Sequence, residues 1–265
     1  MIFREMLFCE WKKNMLKDLN KEKYIETEYG KKKAGKSRFV VIAPHSAGDD
    51  LKTGYIARLL AMELDASVVV NNKYFKSTNS KAGRKPDYIE DFNKLSWSGT
   101  NDKYMWKSKK PAMKQFFDDI IELCELAREK SGKEKAVAIY IHGMAHEKLA
   151  LDLGIGLRAK NGNNRFIGSS KSEYYCSGVP TIRISDLKKL RMLLQDPLQR
   201  KYGLSVGVGF EYPAWGKRIA VQFHKHEDRD DYAIQLEINN ILKKNDKDIK
   251  YLVGLFKKSL RKIFN

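Results

Sequence analysis

The sequence predicts an α/β fold: a single domain whose central sheet is mixed and largely parallel, flanked by helices. Three observations lead there. Two apolar runs, Phe39 to Ala43 and Ala136 to Ile141, are too short for helices and lack the alternation of half-exposed strands, so they read as strands buried on both faces. Stretches with helical spacing, Tyr55 to Leu64 and Ala112 to Lys130, accompany them. A chain of 265 residues, 42% of them apolar, can bury a substantial core.

In order along the chain, residues 1–24 read as a helix with Phe3, Leu7, Phe8, Trp11 and Leu16 near one face. Residues 25–37, ending in KKKAGKS, read as a charged linker. The expected division is therefore an N-terminal helix and basic linker over 1–37, and the main domain over 38–265. After the first strand, Pro44 closes the run and His45 enters a small-residue loop ending in Asp49 and Asp50. Tyr55 to Leu64 is then a helix, and Ser67 to Val70 a strand. Residues 76–110 are polar and loop-like. Ala112 to Lys130 is an amphipathic helix, and the strand after it ends on His142-Gly143.

Residues 151–183 are punctuated by glycine, with short strand-like pieces. Ser185 to Gln195 reads as a helix with a serine or aspartate cap. Leu204 to Phe210, Ile219 to Phe223 and Tyr232 to Ile238 read as strands, and Ile249 to Phe264 as a basic amphipathic helix packing on the domain.

Composition excludes several classes. Charged residues interrupt every apolar patch of the N-terminus, against a signal peptide, and no segment reaches the roughly 20 apolar residues a membrane span needs. Three scattered cysteines make no disulfide framework, so a reducing cytoplasmic setting is the expectation. No G-x-S-x-G elbow appears, which argues against a serine hydrolase. The net charge of +18 suits either a lysine-solvated surface or an attraction for nucleic acid, another polyanion or an acidic substrate. No nucleic-acid-binding motif accompanies it.

Chemistry-bearing residues gather at strand ends. His45 and His142, with Asp49 or Asp50 as a carboxylate, make a candidate site for a divalent metal, against the alternative that these residues merely start a helix. Glu237 lies in YAIQLEI on the face shared by Ala233 and Gln235, where a buried carboxylate needs a partner or a task. His146 is given a minor role, and His224 and His226 are expected in a solvated, charged turn.

The ordered motifs APHSAGDD, DFNK at 91–94, YIHG at 140–143, YPAWGKR at 212–218 and AIQLEIN at 233–239 resemble the N-formylglutamate amidohydrolase family. They are also similar to its zinc carboxypeptidase-like and poly-γ-glutamate hydrolase-like relatives. The resemblance implies a carboxypeptidase-like, phosphorylase/hydrolase-like fold and one zinc ion held by His45, Asp50 and His142. Glu237 would be the general base for water attacking an amide of an acidic substrate, an N-acyl amino acid or a γ-glutamyl compound. DFNK resembles the family's D-L-N-R motif, so Asn93 and Lys94 would bind a substrate carboxylate. Lys94 lacks the arginine fork, and Arg84, Arg158, Arg183 or Lys217 would complete the clamp. The rival readings are a non-catalytic relative binding nucleic acid through its basic surface and a phosphoesterase using the same metal.

Overall fold

Residues 22–48, 50, 52–76, 88–94, 111–159, 174–176, 179–214, 219–225 and 229–265 are described by a computed structural model. Of residues 1–24, where a helix is expected, 1–21 lie outside the described residues.

The first elements correct the sequence pattern. Where a charged linker is expected, β1 (Ile25–Glu26) and β2 (Gly30–Lys33) form two short antiparallel strands. Lysine-rich GKKK becomes a strand because its side chains find partners. Lys32 Nζ sits 2.7 Å from Asp119 and 2.8 Å from Glu122, and the Tyr29 hydroxyl donates to Asp119 at 2.7 Å. Lysines also suit a strand near a sheet edge, where they discourage further pairing.

The apolar runs fold as expected. β3 (Phe39–Ala43), β4 (Ser67–Asn71), β5 (Val137–Met144) and β10 (Tyr232–Asn239) form a parallel core in the order β4-β3-β5-β10. β5 ends at Met144, one residue past the expected His142-Gly143. Beyond β10 lie β6 (Leu149–Gly154), antiparallel to it, and β9 (Ser205–Val208), parallel to β6. With β1 and β2 at the other edge the sheet has eight strands, and it is mixed. A separate hairpin pairs β7 (Leu157–Ala159) with β8 (Tyr174–Cys176).

Helices cover both faces. α1 (Thr53–Leu64), α3 (Ile184–Tyr202) and α4 (Asp246–Phe264) bury Ile56, Leu60, Leu187, Leu194, Leu252 and Phe256 against Val41, Ile139 and Leu236. α2 (Pro111–Ser131) covers the opposite face, packing Phe116 and Ile120 against Val40, Ile42 and Tyr140. α3 starts after Arg183 without a side-chain cap, so the expected serine or aspartate cap is replaced by an Arg183–Asp186 ion pair at 2.6 Å. The segment expected as a strand from Ile219 to Phe223 is a 3₁₀ helix over Ala220–Lys225, with only Ile219 bridging to Lys94. Its apolar residues Ala220, Val221 and Phe223 pack under α2, and burial there does not require the alternation of a strand. No helix among the described residues is long and apolar enough to cross a membrane.

Candidate metal centre

Parallel strands point their carboxyl ends the same way, and ligands in such sheets bind outside those ends. β3 leads at that edge into Pro44 and His45, β5 carries His142, and β10 carries Glu237. Register sets the floor of the site: Glu237 is paired with His142 on one side and with Asp152 on the other, so the three share one face. All three are buried, as are His45 and Asp50.

His45 Nδ1 lies 3.3 Å from Asp50 Oδ2, and His142 Nδ1 lies 3.4 Å from the same oxygen. Both distances are long for hydrogen bonds. Tetrahedral bonds of about 2.0–2.1 Å set neighbouring donor atoms about 3.3–3.4 Å apart, which is the spacing of each histidine from Asp50. The donor set therefore fits a zinc-like ion, and the ligand atoms of His45, Asp50 and His142 all lie within 4.8 Å of one another. Asp49, the alternative carboxylate, lies outside the described residues.

The surroundings orient this group. Asp91 Oδ1 takes His45 Nε2 at 2.8 Å and the Asn93 N–H at 3.0 Å, leaving Nδ1 to face Asp50. Lys76 Nζ reaches Asp50 Oδ1 at 3.1 Å, and the Gly143 N–H points to Asp50 Oδ2 at 3.3 Å. The Lys243 Nζ packs over Gly143, where a Cβ would displace it.

Electrostatics follow from burial and these partners. Burial alone would lower the His45 pKa, but Asp50 and Asp91 outweigh it and push it up to about 9. His142 is lowered to about 4, chiefly by burial. Burial opposes ionisation of Asp50 too, yet the two imidazoles hold its carboxyl far below the ordinary range. Glu237 is pushed up to about 8 by burial and then by Asp50 and Asp152. A carboxyl so raised can hold a proton and release it near neutral pH.

A cavity of about 410 Å³ opens over this floor. Asn93, Lys76, Gln235 and the 211–214 wall line it with the histidines and Glu237. Gln235 Nε2 donates to Glu237 Oε1 at 2.9 Å. Asn93 Oδ1, Gln235 Oε1 and His142 Nε2 are buried without a hydrogen-bond partner among the described residues. The wall is held by Asp152, which accepts the N–H groups of Phe210, Glu211 and Tyr212 at 3.0, 2.9 and 2.9 Å.

The expected clamp is only partly assembled. Asn93 lines the cavity, whereas Lys94 is exposed and pairs with Asp91 at 3.3 Å. Arg183 lies at the far end of β10, over the Tyr232 ring and paired with Asp186. Arg84, Lys217 and His226 lie outside the described residues, as does the side chain of Arg158 in β7. His146 accepts the Leu149 N–H at 3.1 Å at the margin of the site. His224, expected in a solvated turn, is buried and bonded to Tyr140, because the turn is a 3₁₀ helix tucked beneath α2.

Sequence reasoning passed over Asp91, Lys76, Gln235 and Asp152. Asp91 sits inside DFNK. Asp152, in LALDLG, carries the signal that exposes Glu237: a lone acid in an apolar strand.

No family model matches the sequence, and no curated protein matches it. The chain is similar in structure to solved proteins at low sequence identity. One is gene product Atu2144 from Agrobacterium tumefaciens, at 16% identity over 86% of this chain and 91% of that one, with a TM-score of 0.49. Another is N-formylglutamate amidohydrolase from Ralstonia eutropha JMP134, at 12% identity over 91% and 96%, with a TM-score of 0.49. A third is zinc-free apo YndL, at 14% identity over 93% and 95%, with a TM-score of 0.41.

Proposed function

We propose that the chain is a zinc-dependent amidohydrolase of a reducing, cytoplasmic setting, cleaving an amide bond in an N-acyl amino acid or γ-glutamyl compound. The observation that carries this reading is the buried His45–Asp50–His142 group facing one cavity with Glu237. His45 and His142 would hold one zinc ion through Nδ1, and Asp50 through Oδ2. When bound, zinc supplies Lewis acidity for a carbonyl and lowers the pKa of water.

The chain's own residues supply the rest. Glu237, raised by burial, takes the proton of the attacking water and hands it to the leaving nitrogen, which needs a carboxyl able to exist in both states. Gln235 fixes the Glu237 rotamer through its 2.9 Å bond. Asn93 offers an unpaired side-chain oxygen, Oδ1, to the substrate. Lys76 is the described cation on the cavity wall and would meet a substrate carboxylate, a duty the family resemblance gives to Lys94. The free Cys124 accords with a reducing compartment.

The test is turnover of N-acyl amino acids and γ-glutamyl peptides by zinc-loaded protein, wild type against Glu237→Gln. The variant should keep its zinc and lose at least about 100-fold in kcat, the scale of general-base catalysis. Equal turnover would remove Glu237 from the chemistry. No turnover by zinc-loaded wild type on either substrate class would remove the amide assignment.

A further inference from the structure

A second group of metal-binding side chains lies on the α2 face of the sheet, away from the cavity. Cys124 comes from α2, His224 from the 3₁₀ helix, and Asp231 from the residue before β10. They are 2%, 1% and 3% exposed, and one ligand atom from each lies within 4.8 Å of the others. Three elements distant in sequence thus deliver a thiol, an imidazole and a carboxylate to one buried point. Gathering such groups in an apolar core is unfavourable unless something satisfies them together.

The groups behind the three donors are arranged as a metal's outer shell would be. The Tyr140 hydroxyl oxygen lies 2.9 Å from His224 Nε2; with Nε2–H donating to that oxygen, Nδ1 carries the lone pair a metal would take. Arg128 donates to Asp231 Oδ2 at 2.6 Å and the Ala136 N–H donates to Oδ1 at 2.8 Å, fixing the carboxylate while each oxygen keeps a lone pair. A separate cavity of about 430 Å³, lined by Asp231, Arg128 and Lys135 among others, reaches the carboxylate from outside. Neither Cys124 nor His224 lines it, so the thiol and the imidazole are closed off from that cavity in the folded chain.

We propose that Cys124, His224 and Asp231 form a second, structural site for a borderline-soft divalent cation of the zinc class. Mixed sulfur, imidazole and carboxylate donors select such an ion over magnesium or calcium, which take oxygen alone. The thiol proton leaves to solvent as the metal–sulfur bond forms. The dication is then balanced by one thiolate and one carboxylate, and Arg128 stays on the Asp231 oxygen it already holds. The alternative is a hydrogen-bonded polar cluster with no ion, in which Arg128 holds the Asp231 carboxylate. Bound metal would tie α2 to the start of β10 and, through Tyr140, to β5 two residues before His142.

The test uses the full chain unfolded and refolded with zinc alone, since the site is closed in the folded state. Wild type should carry two zinc ions and His142→Ala one. Zinc-edge X-ray absorption of His142→Ala should then show a sulfur neighbour at about 2.3 Å. Adding Cys124→Ala to that variant should remove both the sulfur signal and the remaining zinc. Should that double variant fail to fold, replacing Cys9 and Cys176 with serine in the His142→Ala chain must leave the sulfur signal in place. A His142→Ala protein without zinc, a spectrum with nitrogen and oxygen alone, or a sulfur signal that follows Cys9 or Cys176 would each overturn the proposal. The first centre is scored separately, by the zinc ion that His142→Ala removes.

Discussion

At the scale of single residues, the candidate centre depends on how each donor is held. Asp91 is the clearest case. Its Oδ1 sits 2.8 Å from His45 Nε2, so it selects the tautomer that leaves Nδ1 to face Asp50. Such second-layer carboxylates typically contribute 10–100-fold in metal affinity. Asp91→Asn should therefore weaken zinc binding by roughly that factor without unfolding the chain, because the amide can still accept from the Asn93 N–H. Competition with a chelator measures it, and unchanged affinity would show that His45 needs no partner. His45, His142 and Glu237 were legible in the sequence because polar residues closing or interrupting apolar runs stand out, whereas the pattern left Asp49 and Asp50 equal and only the family resemblance favoured Asp50. Asp91 and Lys76 were not legible, since both come from polar segments where one more charge carries no pattern. His224 was misjudged for the same reason. FHKHEDRDD looks solvated, yet Phe223 and His224 turn inward while Lys225 pairs with Asp230.

Elements obey pattern where burial alone shapes them. β3, β5 and β10 fold where the apolar runs lie, and α4 extends three residues ahead of its apolar stripe because its cap is polar. Asn245 Oδ1 caps the helix by accepting the Asp248 N–H at 2.9 Å, and its side-chain Nδ2 donates to Asp248 Oδ2 at 2.7 Å. Asp248 Oδ1 also takes the Tyr202 hydroxyl at 2.6 Å and Lys201 at 3.0 Å, joining α4 to the end of α3. Pattern misses β2 because its stability comes from Asp119 and Glu122, which are remote in sequence.

The Asp248 junction makes a pH prediction. Burial would raise this carboxyl, but the bonds from Tyr202, Lys201 and Asn245 outweigh it and hold its pKa below the ordinary value. A carboxyl depressed in the folded state stabilises fully above its unfolded pKa of about 3.9 and loses that contribution as pH falls through the lower folded value. Asp248→Asn should thus lower stability at pH 7 and flatten its decline between about pH 4 and the folded pKa. Asn245→Ala should cost about 1 kcal/mol at pH 7 through the lost cap. Denaturant melts across pH would check both, and an unchanged acid slope in Asp248→Asn would exclude the junction as its source.

For the whole molecule, the net charge of +18 outweighs any one contact. Some described ion pairs, such as Lys114–Asp118 and Lys31–Glu26, are single surface contacts, and exposed pairs of this kind contribute about 0–1 kcal/mol each. With 51 basic against 33 acidic side chains, many cations have no acid to meet, and the folded state holds them closer together than the unfolded chain does. Salt near 0.15 M shortens the screening length to about 8 Å, weakening repulsion spread over the surface more than attraction within the buried pairs at Asp119 and Asp231. The melting temperature of the metal-free protein should consequently rise between about 0.01 M and 0.15 M sodium chloride, where the screening length falls from about 30 Å. A fall over that range would mean that surface pairs, and not net repulsion, dominate the balance. The same screening separates the two explanations of the charge. An affinity for polyanions that rests on it alone should vanish as salt rises, whereas cleavage in the cavity should keep its dependence on Glu237 at every salt concentration.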